Sequence, residues 1–587
     1  MHRLNRLDDA KSLYRQALEL APAQPEAWLG LGVLARQVGV VDAAVQSLGR
    51  AVELAPDVPE CRIQHAGALQ EKGLVERAAE EFRIACRLRP NDASAWEQLG
   101  VALQGMGDVD AAADAYRRAY RLVPSASARI KLATIVSPIV SSREAMLSQR
   151  AAVEAELASL LCEPALHIDD PMRAGLWTNF FLAYHGANDR SLQLMYAALY
   201  RRVCPSLDHV SPHCSQPRGP GARIRVGLLS KFFHNHSIGR TSRGLFAQLS
   251  RTELDVTAIF VAPTVDDNCS RFIREHAEHT LVVPQDLARA RSMIEALELD
   301  VLFYQDIGME PFTYFLGFSR LAPVQCVSFG HPDTTGIPTI DYFVSNDLYE
   351  LPGAAAHYSE ELFLLHGLGS LAYYYRPDMP QRHKRRSDFG LSEDDHIYIC
   401  PQNLFKFHPD MDELIAGILR RDILGKLVVL EGRIGHWTEL LRRRWNTAMP
   451  DVIDRVLFLP RQNPADYVAL IAVADVMLDT LHFNGMNSSL DAMSVGTPVV
   501  TLPGEFQRGR HTQAMYRRMG VVDSIADGPD DYIARALSFA TDRVHRDAFR
   551  AEILRRNDVL FEDSTVVREF ERFFREAVAR SETGRRR

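Results

Sequence analysis

The chain has 587 residues, too many for one hydrophobic core, so roughly three to five domains are expected. Hydrophobic residues make up 47% and charged residues 24%, a globular balance that excludes collagen-like, wholly disordered and membrane-bundle classes. The formal net charge of -8 supplies no global basic field for nucleic acid.

No run of ~18 apolar residues is present, so no membrane-spanning helix is expected. The first residues, Met1-His2-Arg3-Leu4-Asn5-Arg6, lack the apolar core of a signal peptide. Eight cysteines are scattered without a C-x-x-C pair or zinc-ligand spacing. Buried free thiols in a reducing, cytoplasmic compartment are the expectation.

The N-terminal quarter repeats with a step of 34 residues. Pro22, Pro56, Pro90 and Pro124 keep that step, as do Ala17, Ala51, Ala85 and Ala119. So do the large residues Tyr14, Leu48, Phe82 and Tyr116, the small residues Gly32, Ala66 and Gly100, and Gly39, Gly73 and Gly107. Each unit reads as a helix pair, for example Pro25–Val38 and Val41–Leu54, with glycine at the turn and proline closing the second helix. This pattern resembles the tetratricopeptide repeat, which stacks into a solenoid whose concave face binds peptides or proteins. A helix over Asp8–Leu20 without its partner reads as an unusual cap or a start site placed too late.

Between 137 and 222 the period disappears, but helices are expected around Ser142–Leu161 and Asp189–Cys204. The stretch Asn179–Asp189 is an aromatic-rich turn, with His185 read as a satisfied structural histidine. Ser211–Gly221, rich in Pro, Gly and Ser, reads as a linker.

From Arg223 short β-branched runs alternate with amphipathic helices. The first half has predicted strands at Ile224–Leu229, Val256–Val261, Val301–Tyr304, Val324–Phe329, Tyr342–Val344 and Leu362–Leu365, with a helix near Ser242–Leu249. A basic break at Arg382–Arg386 reads as a solvated linker. The second half has predicted strands at His396–Cys400, Leu427–Leu430, Val456–Leu459, Val476–Leu478 and Val499–Leu502. Its helices are expected near Met411–Leu419, Trp437–Asn446, Pro464–Val473, Ser488–Met493 and Thr512–Met519. Such alternation implies two parallel sheets covered by helices, with ligands bound at the carboxyl ends of the strands. Ser564–Ala579 is expected to be a helix packing back across the halves, and Ser581–Arg587 to be disordered.

The chemistry concentrates in the loops that follow strands. In Leu478–Asp491 a strand ends, a polar turn containing Gly485 follows, and a helix begins at Asn487-Ser488-Ser489. These residues are good N-caps, so the segment is either an ordinary capped helix or a phosphate site on free N–H groups. Asp491, one turn in, suits sugar hydroxyls. Lys406, just beyond a strand in Gln402-Asn403-Leu404-Phe405-Lys406, is placed to neutralise phosphate. His236 and His331 sit in corresponding loops of the first half, each either structural or a base or donor at the cleft. No Walker motif or G-x-G-x-x-G is present, and the pairs Asp108/Asp110 and Asp410/Asp412 lie at a repeat turn and a helix start. No metal and no cofactor are therefore expected.

With these residues in order, the chain resembles the O-linked N-acetylglucosamine transferase (SPINDLY-like) family, which joins tetratricopeptide repeats to a GT-B region. The resemblance covers repeats 8–124, Asn179–Asp189 and both α/β halves to about residue 579. It implies an α-helical solenoid followed by an α/β GT-B region of two Rossmann-like domains facing a cleft. Domain boundaries are expected at 1–136 (solenoid), 137–222 (joint), 223–381 (acceptor-side half), 387–541 (UDP-sugar half) and 542–587 (C-terminal helices and tail).

Carried onto this sequence, the family's loop histidine matches His236. Its diphosphate lysine matches Lys406, with Asn403 beside it, and its helix-start amides match Asn487 and Ser488, next to Ser489. Its ribose aspartate matches Asp491, and an arginine after the Pro-Gly-Glu turn matches Arg510. The chain departs from the family at Met486-Asn487-Ser488, where His-Thr-Thr is usual, and at Pro464 and Tyr467, where animal members carry Lys and His. A donor-site histidine has no counterpart near Glu295. Gly330-His331-Pro332 with Thr334-Thr335 and Asn487 look instead like the cytoplasmic N-glycosyltransferases that modify bacterial adhesins.

The resemblance implies a metal-independent protein glycosyltransferase moving GlcNAc or a hexose from a UDP-sugar to Ser/Thr of an acceptor held by the repeats. Asparagine N-glucosylation and a scaffold with a decayed transferase domain are the alternatives. Partners are an acceptor protein or peptide and the UDP-sugar, with no nucleic acid and no membrane; a homo-oligomer stays open.

Overall fold

The computed structural model describes residues 7–216, 219, 221–378 and 384–585. The residues Met1–Arg6, Pro217, Arg218 and Pro220 of the linker, Gln381 at the expected boundary, Arg382 and His383 of the basic break, and Arg586 and Arg587 lie outside the described residues. The chain divides into two units, Met1–Ile139 with Gly432–Leu441, and Val140–Glu431 with Arg442–Arg587.

The first unit is built of the helix pairs that the 34-residue step predicts. A lone helix α1 (Leu7–Leu20) is followed by α2 (Pro25–Gln37) with α3 (Val41–Leu54) and α4 (Pro59–Glu71) with α5 (Val75–Leu88). Next come α6 (Ala93–Met106) with α7 (Val109–Leu122), and then α8 (Ala126–Ala133). The small-residue positions let paired helices touch. A Cβ on Gly32 would stand 2.4 Å from Leu48 Cγ, and one on Gly100 would stand 2.5 Å from the Tyr116 ring. The turn glycines Gly39, Gly73 and Gly107 have φ of 77°, 82° and 89°, left-handed values that disfavour a side chain. One further register emerges. Trp28, Arg62 and Trp96 donate to the carbonyls of Pro22, Pro56 and Pro90 at 2.8, 2.7 and 3.0 Å, fastening each first helix to the preceding proline turn.

The second unit begins with α9 (Arg143–Cys162) and α10 (Arg190–Val203), separated by a 3-10 turn at Phe180–Tyr184. The first half then alternates β1 (Ile224–Ser230), α11 (Ser237–Gln248), β2 (Leu254–Val261), α12 (Asn268–His276), β3 (His279–Val283) and α13 (Leu287–Glu295). It continues through β4 (Val301–Tyr304), α14 (Pro311–Leu316), β5 (Val324–Val327), β6 (Tyr342–Asn346) and β7 (Glu361–Leu365). These strands form one parallel sheet in the order β3-β2-β1-β4-β5-β6-β7.

The second half holds β8 (His396–Cys400), α15 (Asp410–Arg421), β9 (Gly425–Leu430), α16 (Gly435–Ala448), β10 (Val456–Leu459) and α17 (Pro464–Val473). It goes on with β11 (Val476–Leu478), α18 (Asn487–Ser494), β12 (Val499–Val500), α19 (His511–Met519), α20 (Pro529–Thr541) and α21 (Arg543–Arg556). Its parallel sheet has the order β10-β9-β8-β11-β12. The last helix, α22 (Ser564–Arg585), returns to the first half, where Phe570 and Phe574 meet Phe303 and Phe573 meets Tyr342 and Phe363.

Three expectations change. Strand β3 escapes the sequence pattern because it is an edge strand with only Val283 buried. Helix α11 starts at Ser237, five residues before the expected Ser242, because His236 caps it through Nδ1 and the Ile238 N–H. Helix α22 runs to Arg585, past Ser581, where order was expected to end. All eight cysteines are free, with seven buried and Cys162 exposed. Among the described residues no helix is long and apolar enough to cross a membrane.

Replacing Gly100 by Val forces a side chain into the Tyr116 ring and is expected to cost about 2 kcal/mol. Amide hydrogen exchange should quicken across α6 and α7; exchange at the wild-type rate would contradict the packing.

Candidate functional site

Each sheet reverses its strand order once, between β1 and β4 and between β8 and β11, and the loops at such points form the ligand crevice of open α/β sheets. The sequence-predicted residues occupy these rims. His236 lies in the loop after β1 and His331 in the loop after β5; Asn403 and Lys406 follow β8, and Asn487, Ser488, Ser489 and Asp491 follow β11.

Lys406 is the best-fixed of them. Half-buried, its Nζ donates to Gln402 Oε1 at 3.1 Å and to the Asn484 carbonyl at 2.9 Å, 4.7 Å from the centre of the Phe483 ring. Burial pushes its ammonium down to about 8, against the pull of the Asp479 carboxylate. Asp479 directly follows β11 and has no exposed surface; it accepts from Gly485 N–H at 2.8 Å and Thr501 Oγ1 at 2.9 Å. Burial pushes that carboxyl up to about 6. Asn403, on the same loop, is exposed.

The start of α18 corrects the capping expectation. Its N-cap is Met486, which makes no side-chain cap, and Asn487, Ser488 and Ser489 are the first helical residues. Their side chains are engaged elsewhere. Ser488 Oγ accepts from Gln402 Nε2 at 2.6 Å, Ser489 Oγ donates to the Gly485 carbonyl at 3.0 Å, and Asn487 Nδ2 donates to the Ser237 carbonyl at 3.4 Å. Among the described residues no side-chain cap meets the first-turn amides, which carry the positive end of the helix dipole. Gly485 permits this crowding, because a Cβ there would stand 2.2 Å from Ser488 Oγ and 2.5 Å from Gln402 Nε2. Gln402 thus joins Lys406 to the helix start, giving one cationic, amide-rich rim suited to phosphate.

The remaining residues take distinct places. His236, partly exposed, stacks on Phe232 with ring centres 4.6 Å apart. Its Nδ1 accepts the Ile238 N–H at 3.3 Å, so the neutral ring keeps its proton on Nε2. His331 is buried and stacks on Phe180, and burial pushes its imidazole down to about 4. Phe180 also meets Phe405, so the joint's 3-10 turn ties the His331 loop to the Lys406 loop. Asp491, 2% exposed, pairs with Arg240 at 2.7 Å and receives the Tyr374 hydroxyl at 3.4 Å. Among the described residues no side-chain bond ties Arg510 to the rim; it donates to the Gly504 carbonyl at 2.9 Å. His185 is not the satisfied residue expected: it is buried, neither ring nitrogen has a hydrogen-bond partner among the described residues, and burial pushes it down to about 3.

Comparison with known proteins fits this geometry. Residues 379–569 match the model of glycosyl transferase family 41, and residues 3–59 and 63–127 match the tetratricopeptide repeat. The two matches fall on separate parts of the chain, the repeats in its first quarter and glycosyl transferase family 41 near its C-terminal end. It is 25% identical over 355 residues to the probable UDP-N-acetylglucosamine–peptide N-acetylglucosaminyltransferase SEC of Arabidopsis thaliana, covering 60% of this chain and 36% of that protein. It is 24% identical over 339 residues to the UDP-glucose:protein N-beta-glucosyltransferase of Actinobacillus pleuropneumoniae, covering 57% and 53%. The chain thus spans about a third of the plant relative and half of the bacterial one. An O-GlcNAc transferase variant of Thermobaculum terrenum superposes with a TM-score of 0.71 at 23% identity, covering 95% of this chain and 98% of that one, which establishes the shared GT-B fold.

Sequence reasoning gave no role to Gln402, Arg240, Asp479 or Arg508. Only contacts across the fold single them out. Arg508, 3% exposed, donates to Asp189 at 3.0 Å and lies 3.4 Å from Asp333, while Arg150 holds the other Asp189 oxygen at 2.7 Å. Gln193 extends the network from Asp333 to Asn179. This buried lattice binds the joint to both halves beneath the rim. Asp189→Ala removes the buried carboxylate shared by Arg150 and Arg508 and is expected to destabilise the chain by about 3 kcal/mol or more. Denaturant unfolding measures it; a change below about 1 kcal/mol would contradict the network's role.

Proposed function

We propose that this chain is a UDP-sugar-dependent protein glycosyltransferase that modifies Ser or Thr of an acceptor bound by its repeats. The observation that supports this most is the Lys406–Gln402–Ser488 linkage, which sets an ammonium beside the free first-turn amides of α18. A departing UDP gains negative charge as the glycosidic bond breaks. Fixed cationic and amide donors at that position stabilise the charge as it forms, without a metal on the phosphates. Asn403 borders the same loop, Asp491 offers its remaining lone pairs to the ribose beside Arg240, and Arg510 holds the Gly504 turn in place.

His236, with its proton on Nε2, is proposed to donate to and orient the acceptor. His331, buried and neutral, is proposed to set Phe180 and the Lys406 loop. In the solenoid, a groove of about 470 Å³ lined by Trp96, Leu99, Leu103, Arg83, Arg117 and Arg121 suits an acceptor segment with apolar and acidic residues. Asparagine is the second reading for the acceptor, favoured by the similarity to the bacterial protein N-beta-glucosyltransferase.

UDP release from a panel of UDP-sugars, with fragmentation of the modified acceptor, tests the reading. One sugar should be turned over, and the fragment ions should place it on Ser or Thr; a sugar on Asn supports the second reading, and no turnover of any UDP-sugar contradicts both. Lys406→Met is expected to lower kcat by about 100-fold or more while the unfolding midpoint holds. Wild-type turnover in that variant would remove Lys406 from the mechanism.

The pH dependence has a definite sign. Lys406 sits near 8, below the ordinary ~10.4 of lysine, so its charge is complete at lower pH and is lost as pH rises through about 8. Calorimetric affinity for UDP should fall over that interval, and the fall should vanish in Lys406→Met. A pH-independent wild-type affinity would contradict it.

A further inference from the structure

A second cluster lies behind the rim and is not used by the proposed transfer. His408 stands two residues beyond Lys406, Asp410 opens α15, and His482 belongs to the loop between β11 and α18. One ligand atom from each lies within 4.8 Å of the other two. His482 Nε2 is 2.9 Å and His408 Nδ1 is 3.3 Å from Asp410 Oδ2, close to the roughly 3.3 Å between ligand atoms around tetrahedral zinc. The two imidazoles meet edge to face with centres 4.4 Å apart. Arg143 lies 3.5 Å from the other carboxylate oxygen, leaving Oδ2 turned to the histidines.

Hydrogen bonding alone leaves this cluster incomplete. His408 Nδ1 accepts the Asp410 backbone N–H at 3.1 Å, a bond that an ion at Nδ1 would displace, and the neutral ring carries its proton on Nε2. That Nε2 is buried without a hydrogen-bond partner among the described residues, in a side chain only 4% exposed. His185 adds a second buried imidazole with two unpartnered nitrogens, next to Gly186, where a Cβ would stand 2.5 Å from His482 Cγ. His482 itself adopts φ of 64°, a left-handed conformation that a non-glycine residue holds only where its surroundings fix it.

We propose that His408, Asp410 and His482 bind a divalent transition-metal ion of the zinc class. Two imidazoles and a carboxylate are the donor set such ions take. The ion would link the Lys406 loop to the loop whose Asn484 carbonyl holds the Lys406 ammonium. It is a tie between loops, separate from the phosphate rim, and it does not depend on the glycosyltransferase reading.

The test is a zinc titration of the untagged full-length chain, stripped with a chelator, by competition against a chromophoric zinc indicator. The wild type is expected to bind about one equivalent at micromolar concentration or tighter and to gain thermal stability on zinc addition. His482→Asn keeps a side chain that tolerates the left-handed backbone but removes the imidazole, and Asp410→Asn keeps the shape but removes the charge. Each should weaken zinc binding by about tenfold or more and lose the thermal gain. A wild type that takes up no zinc, or variants that bind it as tightly as the wild type, would overturn the site.

Discussion

An ammonium removed from bulk water stays charged only where fixed dipoles or a carboxylate replace its hydration, and the site is organised around meeting that condition for Lys406. A side-chain amide and a backbone carbonyl receive its protons, and Asp479 lies buried in the strand end beneath. Burial nevertheless holds the lysine well below its ordinary value. A group in this condition gains from any anion that arrives, because the anion restores what desolvation removed. The first turn of α18, without a side-chain cap, has the same unmet demand from its amides. Gln402 couples the two by accepting from Lys406 and donating to Ser488.

The rest of the second unit holds these loops in register. Parallel sheets place the strand ends on common edges, and the joint segment threads between the edges. Its 3-10 turn packs Phe180 and Tyr184 against His331, Phe405 and Phe483, which come from three different loops. Its helix start gives Asp189 to two arginines from distant parts of the chain. Across the crevice, Arg240 of α11 reaches Asp491 of α18, so a residue that could meet a ribose is already part of the tie between halves. The C-terminal helix closes the first sheet with an aromatic face. In this way the loops of the rim are fixed by groups lying far away in sequence.

Periodicity carried most of the fold into the sequence. Repeats declare themselves because each pair must solve the same contact, so Gly32 with Leu48 and Gly100 with Tyr116 recur at one step. Strands buried on both faces declare themselves as unbroken apolar runs, which is why Val301–Tyr304 and His396–Cys400 were predicted at their observed bounds. Features set by single contacts did not show. The start of α11 depends on one imidazole cap, and β3 is an exposed edge. Of the site, Lys406 and the α18 start were visible from their position after strands, whereas Gln402, Arg240, Arg508 and the His408–Asp410–His482 cluster become meaningful only when loops separated by tens to hundreds of residues meet. The serines of α18 illustrate the limit best: their type suggested capping, and the fold engages their hydroxyls elsewhere and leaves the amides free.

The central claim is that the rim formed by the Lys406 loop and the start of α18 receives a nucleoside diphosphate. A crystal structure of the full chain with UDP tests it most directly. The account predicts diphosphate oxygens at about 3 Å from Lys406 Nζ and from the backbone nitrogens of Asn487 to Ser489. A diphosphate bound away from both, with Lys406 still held only by Gln402 and Asn484, would contradict it.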